Sequence, residues 1–176
     1  CYPDKITDEL IREFRDNERL LKYIDLPIQH ISDRVLKAMN RHGNQKQIRE
    51  TIARLRREVP DITIRSTGIV GFPGETEEQF QETLDAVRAV NFMSSFSFCY
   101  SDRPGTAASR HTDKVEPAEK LRRLERLQAL QEALSSDWLK ARVGCKTDIL
   151  LEGASRKQDG EDAATESWQG RDPWGD

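Results

Sequence analysis

The stretch Ile64 to Phe80, IRSTGIVGFPGETEEQF, constrains the fold more than any other part of the chain. It opens on an apolar, β-branched run (Ile64, Thr67, Ile69, Val70) that reads as a buried strand. Gly71-Phe72-Pro73-Gly74 then forces a tight turn. Thr76 to Gln79 has the spacing of a capping box, and Phe80, Leu84, Val87 and Val90 follow on one helical face. Strand, glycine turn and capped helix make a βα unit whose loop opens at the strand's carboxyl end, the edge where parallel α/β folds bind ligands.

Two further units of this kind flank it. Lys22–Leu26 reads as a short strand stopped by Pro27, with a loop at Ile28–Ile31 and a helix from Ser32 or Asp33 that ends at Arg41–Asn44, where Gly43 suits the cap. Gln45–Val59 is a second helix, with Ile48, Ile52 and Leu55 one turn apart. Met93–Tyr100 alternates around Phe96, Phe98 and Tyr100 as a third strand, and the turn-rich Ser101–Thr106 follows it. Ahead of these, Cys1–Pro3 reads as a strand end, and Thr7 caps a helix over Asp8–Arg15. Repeated strand-loop-helix units predict an α/β fold with a parallel sheet, closed or partly closed, and helices outside. Pro117 fits the first position of a long helix to about Arg142, whose stripe of Leu121, Leu124, Leu127, Leu130, Leu134 and Trp138 closes the domain; a partner-binding coil is the alternative. Gly144 breaks that pattern. Thr147–Leu151 and Trp168–Arg171 read as strands of a different, all-β unit joined by a polar hairpin loop, which places a domain boundary near Arg142.

The net charge is −3, so any nucleic-acid site has to be a local patch. No apolar run approaches the ~20 residues a membrane helix needs, and a cytoplasmic location is expected. Cys1, Cys99 and Cys145 are too far apart for a close-spaced metal motif and odd in number. A start at Cys1 and a stop at Trp174-Gly175-Asp176, within a turn, give the expectation of a piece of a longer protein.

Candidate site residues cluster on the predicted loop edge. Gln29, His30 and Ser32 follow the first strand, either as polar ligand contacts or as a helix cap beside a satisfied loop histidine. Glu75 can accept hydrogen bonds from a ligand's amine or hydroxyls, or simply favour the helix dipole. Arg65, inside a strand, is either a carboxylate-binding group or an edge residue facing solvent. The arginine runs at Arg54–Arg57 and Arg122-Arg123 read as solvated helix faces, with binding of RNA phosphates the sharper alternative. No nucleophilic triad, phosphate loop or complete metal site is written here.

Four segments taken together, Leu26–Gln29, Ser32–Met39, Ile69–Thr76 and Tyr100–Thr106, resemble in order and spacing the methylthiotransferase family of radical S-adenosylmethionine enzymes. The resemblance implies the later βα units of a partial TIM-like barrel over residues 1–142. Residues 143–176 would be the start of a small all-β TRAM domain, which grips the substrate. It implies S-adenosylmethionine as cofactor, with Gln29, Ser32, Arg65, Gly71 and Glu75 as pocket residues. It also implies [4Fe–4S] clusters in the intact protein, one of them held by a CxxxCxxC triplet that these three cysteines cannot supply. The chain alone is therefore expected to hold no cluster and to be inactive.

One branch of that family adds a methylthio group to C2 of N6-isopentenyladenosine beside the tRNA anticodon; another modifies an aspartate of a ribosomal protein. Tyr100–Thr106 and Trp168–Arg171 resemble the tRNA branch, whereas Tyr2–Asp4 and Tyr23–His30 resemble the protein branch. The balance favours tRNA as partner. A non-catalytic module that binds RNA or a partner is the reading from another class.

Overall fold

The computed structural model describes residues 2–154 and 168–174. Three strands, β1 (Tyr23–Asp25), β2 (Thr63–Val70) and β3 (Ser94–Cys99), form a parallel sheet in the order β1-β2-β3. Tyr23 pairs with Thr63, and Arg65 to Val70 run alongside Ser94 to Cys99. Helices α1 (Asp8–Asp16), α2 (Asp33–Ala38), α3 (Gln45–Glu58), α4 (Glu77–Val90) and α5 (Pro117–Ala141) provide the connections and the cover. Parallel neighbours need a long crossover, and α2–α3 and α4 are those crossovers.

Helix starts follow their sequence signals. Thr76 Oγ1 accepts the Gln79 amide at 3.3 Å, and Gln79 Oε1 accepts the Thr76 amide at 3.1 Å. Asn44 and Gln47 make the same reciprocal pair ahead of α3, at 2.9 and 3.1 Å. Thr7 caps α1 through the Leu10 amide, and Pro117 occupies the first turn of α5. The apolar faces turn inward: Ile48, Ile52 and Leu55 of α3 and Phe80, Leu84, Val87 and Val90 of α4 are all buried in one core with Ile24, Ile64 and Val70 of the sheet. Burying each such side chain stabilises the fold by about 1.5–3 kcal/mol.

The sheet has two unlike faces. Ile64, Ser66 and Val70 face the helices and are buried, whereas Arg65, Thr67 and Ile69 alternate with them and are only half-buried. On β3 the lumen-side aromatics Phe96 and Phe98 are 53% and 55% exposed. The aromatic alternation read from the sequence is therefore present, but it lines the open inner face of a partial barrel, away from the helix layer. Helix α5 closes the far side against β3 and α4. Its buried line is Arg123, Leu127 and Gln131, with Leu124, Leu130 and Leu134 packed beside it, while Leu121 is exposed. Gln131 fixes the docking by donating to the Phe92 carbonyl at 2.9 Å.

Three local expectations are corrected. Pro3–Lys5 form a 3₁₀ turn where a strand end is expected. Helix α2 ends at Ala38, short of Gly43. The Asn40 amide returns to the Lys37 carbonyl at 3.0 Å and the Arg41 amide to the Leu36 carbonyl at 2.9 Å, with Asn40 left-handed at φ 55°. This is a Schellman ending with asparagine in the place glycine usually takes. Neither arginine run is simply a solvated face: Arg54 donates to the Ile6 carbonyl at 2.7 Å, and Arg123 is buried.

Beyond α5, β4 (Leu150–Ala154) and β5 (Trp168–Arg171) pair antiparallel, and the polar hairpin loop expected between them lies outside the described residues. Arg142 ties this pair to the helix end. Its guanidinium lies 4.5 Å from the Trp138 ring and 3.7 Å from the Trp174 ring, and it pairs with Asp172 at 2.7 Å. Among the described residues no helix is long and apolar enough to cross a membrane.

Candidate cofactor and substrate site at the strand ends

A cavity of about 770 Å³ opens at the carboxyl ends of the three strands. Thr67 and Ile69 of β2 and Phe98 of β3 line it, with Tyr100 just past β3, Gln29 from the loop after β1 and Arg103 from the loop after β3. The volume is that of a site for a ligand of nucleoside size. Gln29 is the residue most shaped by this position. It continues the ladder past Pro27, with its amide on the Thr67 carbonyl and its carbonyl on the Ile69 amide, both at 2.8 Å. Its φ is +66°, a left-handed conformation that an ordinary side chain takes at a cost. Residues held off the common backbone regions by their surroundings gather at functional sites.

Behind the rim, Glu75 sits with its side chain 0% exposed. His30 Nε2 lies 3.1 Å from Oε1, the Gly71 amide donates to Oε2, and Arg123 Nη1 lies 3.2 Å from Oε2. The His30 tautomer follows from its partners: Nδ1 accepts the Ser32 amide at 3.0 Å, so the ring hydrogen sits on Nε2 and points at Glu75. Thr83 Oγ1 completes the ring's surroundings at 3.3 Å. Arg123 reaches in from α5, also donating to the Glu75 backbone carbonyl at 3.0 Å and pairing with Glu119 at 2.7 Å. Hydrogen bonds from Arg122 and then Arg123 hold the Glu119 carboxyl down at about 2. One buried carboxylate thus links the loop after β1, the glycine turn after β2 and the closing helix.

The five sequence-predicted positions are differently employed: Ser32, Gly71 and Glu75 share the buried network, Gln29 lies on the cavity wall, and Arg65 stands apart from them on β2. Gln29 lines the cavity. Ser32 is buried, supplies its backbone amide to His30 and makes no side-chain cap. Gly71 is left-handed at φ +71°, and a Cβ there would lie 2.3 Å from Lys120 Cγ. The bareness of the turn leaves room for the Lys120 stem. Arg65 pairs with Asp25 through Nη2 and through Nε at 3.1 Å, between the rings of Tyr23 and Phe96 at 5.5 and 5.1 Å. Arg123, read as a surface charge, and His30, one of several polar loop residues, prove to be the inner framework. Partners 45 and 48 positions apart leave no local signal of such pairing.

The loop after β3 is held in place by Lys114, which binds the Asp102 carboxylate and the Ala108 carbonyl, the latter at 2.9 Å. Lys114 and then Tyr100 lower the Asp102 carboxyl; burial and then the Asp102 hydrogen bond push the Tyr100 phenol up.

A parallel half-barrel with a nucleoside-sized cavity across its strand ends, gathered on a GFPGET turn, defines a class of protein. Residues 2–87 match the Radical SAM superfamily, and the fold resembles that of a solved structure, "Coproporphyrinogen III oxidase (HemN) from Escherichia coli is a Radical SAM enzyme". That match has TM-score 0.62 at 23% identity, over 76% of this chain and 31% of that one. Within the superfamily, the chain belongs to the methylthiotransferase family. It is 47% identical, over 99% of its length, to a tRNA-2-methylthio-N(6)-dimethylallyladenosine synthase of Lawsonia intracellularis. It is 45% identical, over 86% of its length, to the ribosomal protein uS12 methylthiotransferase RimO of Carboxydothermus hydrogenoformans. The chain spans 38% of the first relative and 34% of the second.

The cofactors of this family are S-adenosylmethionine and [4Fe–4S] clusters. The cavity suits the first in size and in its mixture of aromatic and polar walls. The cluster does not fit this chain: among the described residues no three His, Cys, Asp or Glu side chains gather as a metal site, and Cys99 and Cys145 are free.

Proposed function

We propose that this chain is the later part of the barrel of a methylthiotransferase that exchanges the hydrogen on C2 of N6-isopentenyladenosine, beside the tRNA anticodon, for a methylthio group. The observation that carries the reading is the strand-end cavity with the constrained Gln29 on its wall, in a chain that aligns over 99% of its length with a tRNA-modifying relative. In this reading Gln29 touches S-adenosylmethionine directly. Ser32, Gly71 and Glu75 shape the pocket through the buried network, and Arg65 contributes from the open face of the sheet. S-adenosylmethionine supplies, when bound, the radical chemistry that opens an unactivated C–H bond. No step through a cluster is assigned to these residues. Residues 1–142 are the barrel portion, and 143–176 begin a TRAM-like β unit. The end of α5 at Ala141 and the separate antiparallel pair β4–β5 support that division. The cytoplasm is the compartment that such a substrate implies.

The second reading, modification of an aspartate of a ribosomal protein, is favoured by the 45% identity to the uS12 enzyme. One assay separates the two. The full-length protein, reconstituted with iron and sulfide and supplied with reductant and S-adenosylmethionine, is offered isopentenylated tRNA and ribosomal protein uS12 side by side. The expected result is a methylthio adduct on the tRNA nucleoside alone. An adduct on uS12 alone would transfer the assignment to the protein-modifying branch.

A further inference from the structure

The rim of the cavity is basic although the chain carries a net charge of −3. The stretches 38–44 and 101–110, which edge it, hold Arg41, Arg103 and Arg110 against a single acid, Asp102. That acid is engaged by Lys114 and by the Tyr100 hydroxyl at 3.0 Å, so it does not oppose the arginines. Arg41 and Arg103 line the cavity themselves. Among the described residues neither has a carboxylate within ion-pair distance, whereas Arg122, Arg123 and Arg126 of α5 are each paired with glutamates. Arg41 instead lies 4.9 Å from the face of the Tyr2 ring.

Their placement is built into the backbone. The Schellman ending of α2 sets Arg41 at the mouth, and the Arg103 carbonyl is held by the Thr106 hydroxyl at 2.9 Å. Arg41 follows α2, in the crossover from β1 to β2, and Arg103 lies in the loop after β3, so the two arginines reach the cavity wall from separate connections. Between them the wall is aromatic: Phe98 is 55% exposed, and Phe72 and Tyr100 meet edge to face at 5.0 Å.

Unpaired guanidinium groups at a concave wall concentrate anions, and their planar forks match phosphate oxygens. A cationic edge interleaved with exposed aromatic faces is the pattern that holds a single nucleic-acid strand. A lone carboxylate engages one fork, whereas two cations brought to one wall by separate connections suit a ligand with repeated negative charge. We infer that Arg41 and Arg103 each hold a backbone phosphate of an RNA strand, one on either side of the nucleotide directed into the cavity. The inference rests on the RNA reading above and adds to it the residues that grip the strand.

The test is a salt series of binding isotherms with the full-length protein and an anticodon stem–loop RNA, comparing wild type with Arg41→Gln, Arg103→Gln and the double variant. Each substitution is expected to reduce the slope of log affinity against log salt by about 1, and to weaken RNAs of unrelated loop sequence by the same factor. Arg41→Lys and Arg103→Lys retain the slope. Arg19→Gln, an exposed change in the turn after α1, leaves it unchanged, and S-adenosylmethionine affinity is the same in all of them. An unchanged slope in the double variant, while wild type still binds RNA, overturns the phosphate assignment and leaves the RNA reading standing. So does a loss of S-adenosylmethionine affinity without a change in slope, which gives the arginines to the cofactor. Wild-type protein with no salt-dependent RNA binding overturns both.

Discussion

Replacement of Glu75 with alanine is expected to lower the unfolding free energy by about 3–5 kcal/mol, the cost of removing one partner from a buried charged pair. The carboxylate is fully enclosed, and its loss takes an acceptor from three donors at once: the Arg123 guanidinium, which keeps Glu119 and the Glu75 carbonyl, His30 Nε2–H, which keeps Thr83, and the Gly71 amide. Urea denaturation measures the loss. Glu75→Gln keeps the shape and one acceptor oxygen and is expected to lose clearly less. Arg123→Met combined with Glu75→Gln is expected to cost less than the sum of the two single changes, because groups in contact couple. A Glu75→Ala variant as stable as wild type would mean that the carboxylate does not bind the three segments together. The same variant is expected to weaken S-adenosylmethionine binding, since the turn that Glu75 clamps stands next to Phe72 and Tyr100 on the cavity wall.

Phe80→Ala is expected to cost a similar 3–5 kcal/mol, the range for truncating a buried aromatic ring. Phe80 is 0% exposed in the first turn of α4, immediately behind the glycine turn. Its ring also carries two cations from α5, with Arg126 Cζ at 4.8 Å and Arg123 Cζ at 5.7 Å from the centroid. The truncation therefore opens a cavity and removes the surface on which α5 is seated. Phe80→Leu retains most of the volume and is expected to recover more than half of the loss. The corresponding change at Phe98, 55% exposed, is expected to leave stability within about 0.5 kcal/mol, as surface substitutions do. The pair separates a core aromatic from a lumen aromatic in the same denaturation experiment.

What was legible in the sequence was what local chemistry decides. The bounds of α4, the Thr76–Gln79 box, Pro117 at the head of α5 and the buried face of α3 all depend on residues within a turn of one another. The loop edge of the fold could be read as well, because glycine turns and Pro27 mark where strands stop. Asn40 was not legible as a helix end, since Gly43 three residues on carries the stronger signal and only the packing of α2 decides between them. The Arg65–Asp25 pair depends on the register of β1 against β2, and Glu75–Arg123 depends on where a helix some 45 residues later comes to rest. Periodicity carries no information about either. The lumen exposure of Phe96 and Phe98 was equally hidden: alternation shows that two faces differ but not which face meets the helices.

We propose that S-adenosylmethionine lies across these strand ends, against Gln29. A crystal structure of the full-length protein grown with S-adenosylmethionine tests it most directly. The nucleoside is expected between Gln29, Thr67 and Tyr100, in the 770 Å³ cavity. A nucleoside bound instead beside Tyr2, Pro27 and His42, in the neighbouring 430 Å³ cavity that shares Asn40 and Arg41 with it, or against the β4–β5 pair, would contradict it.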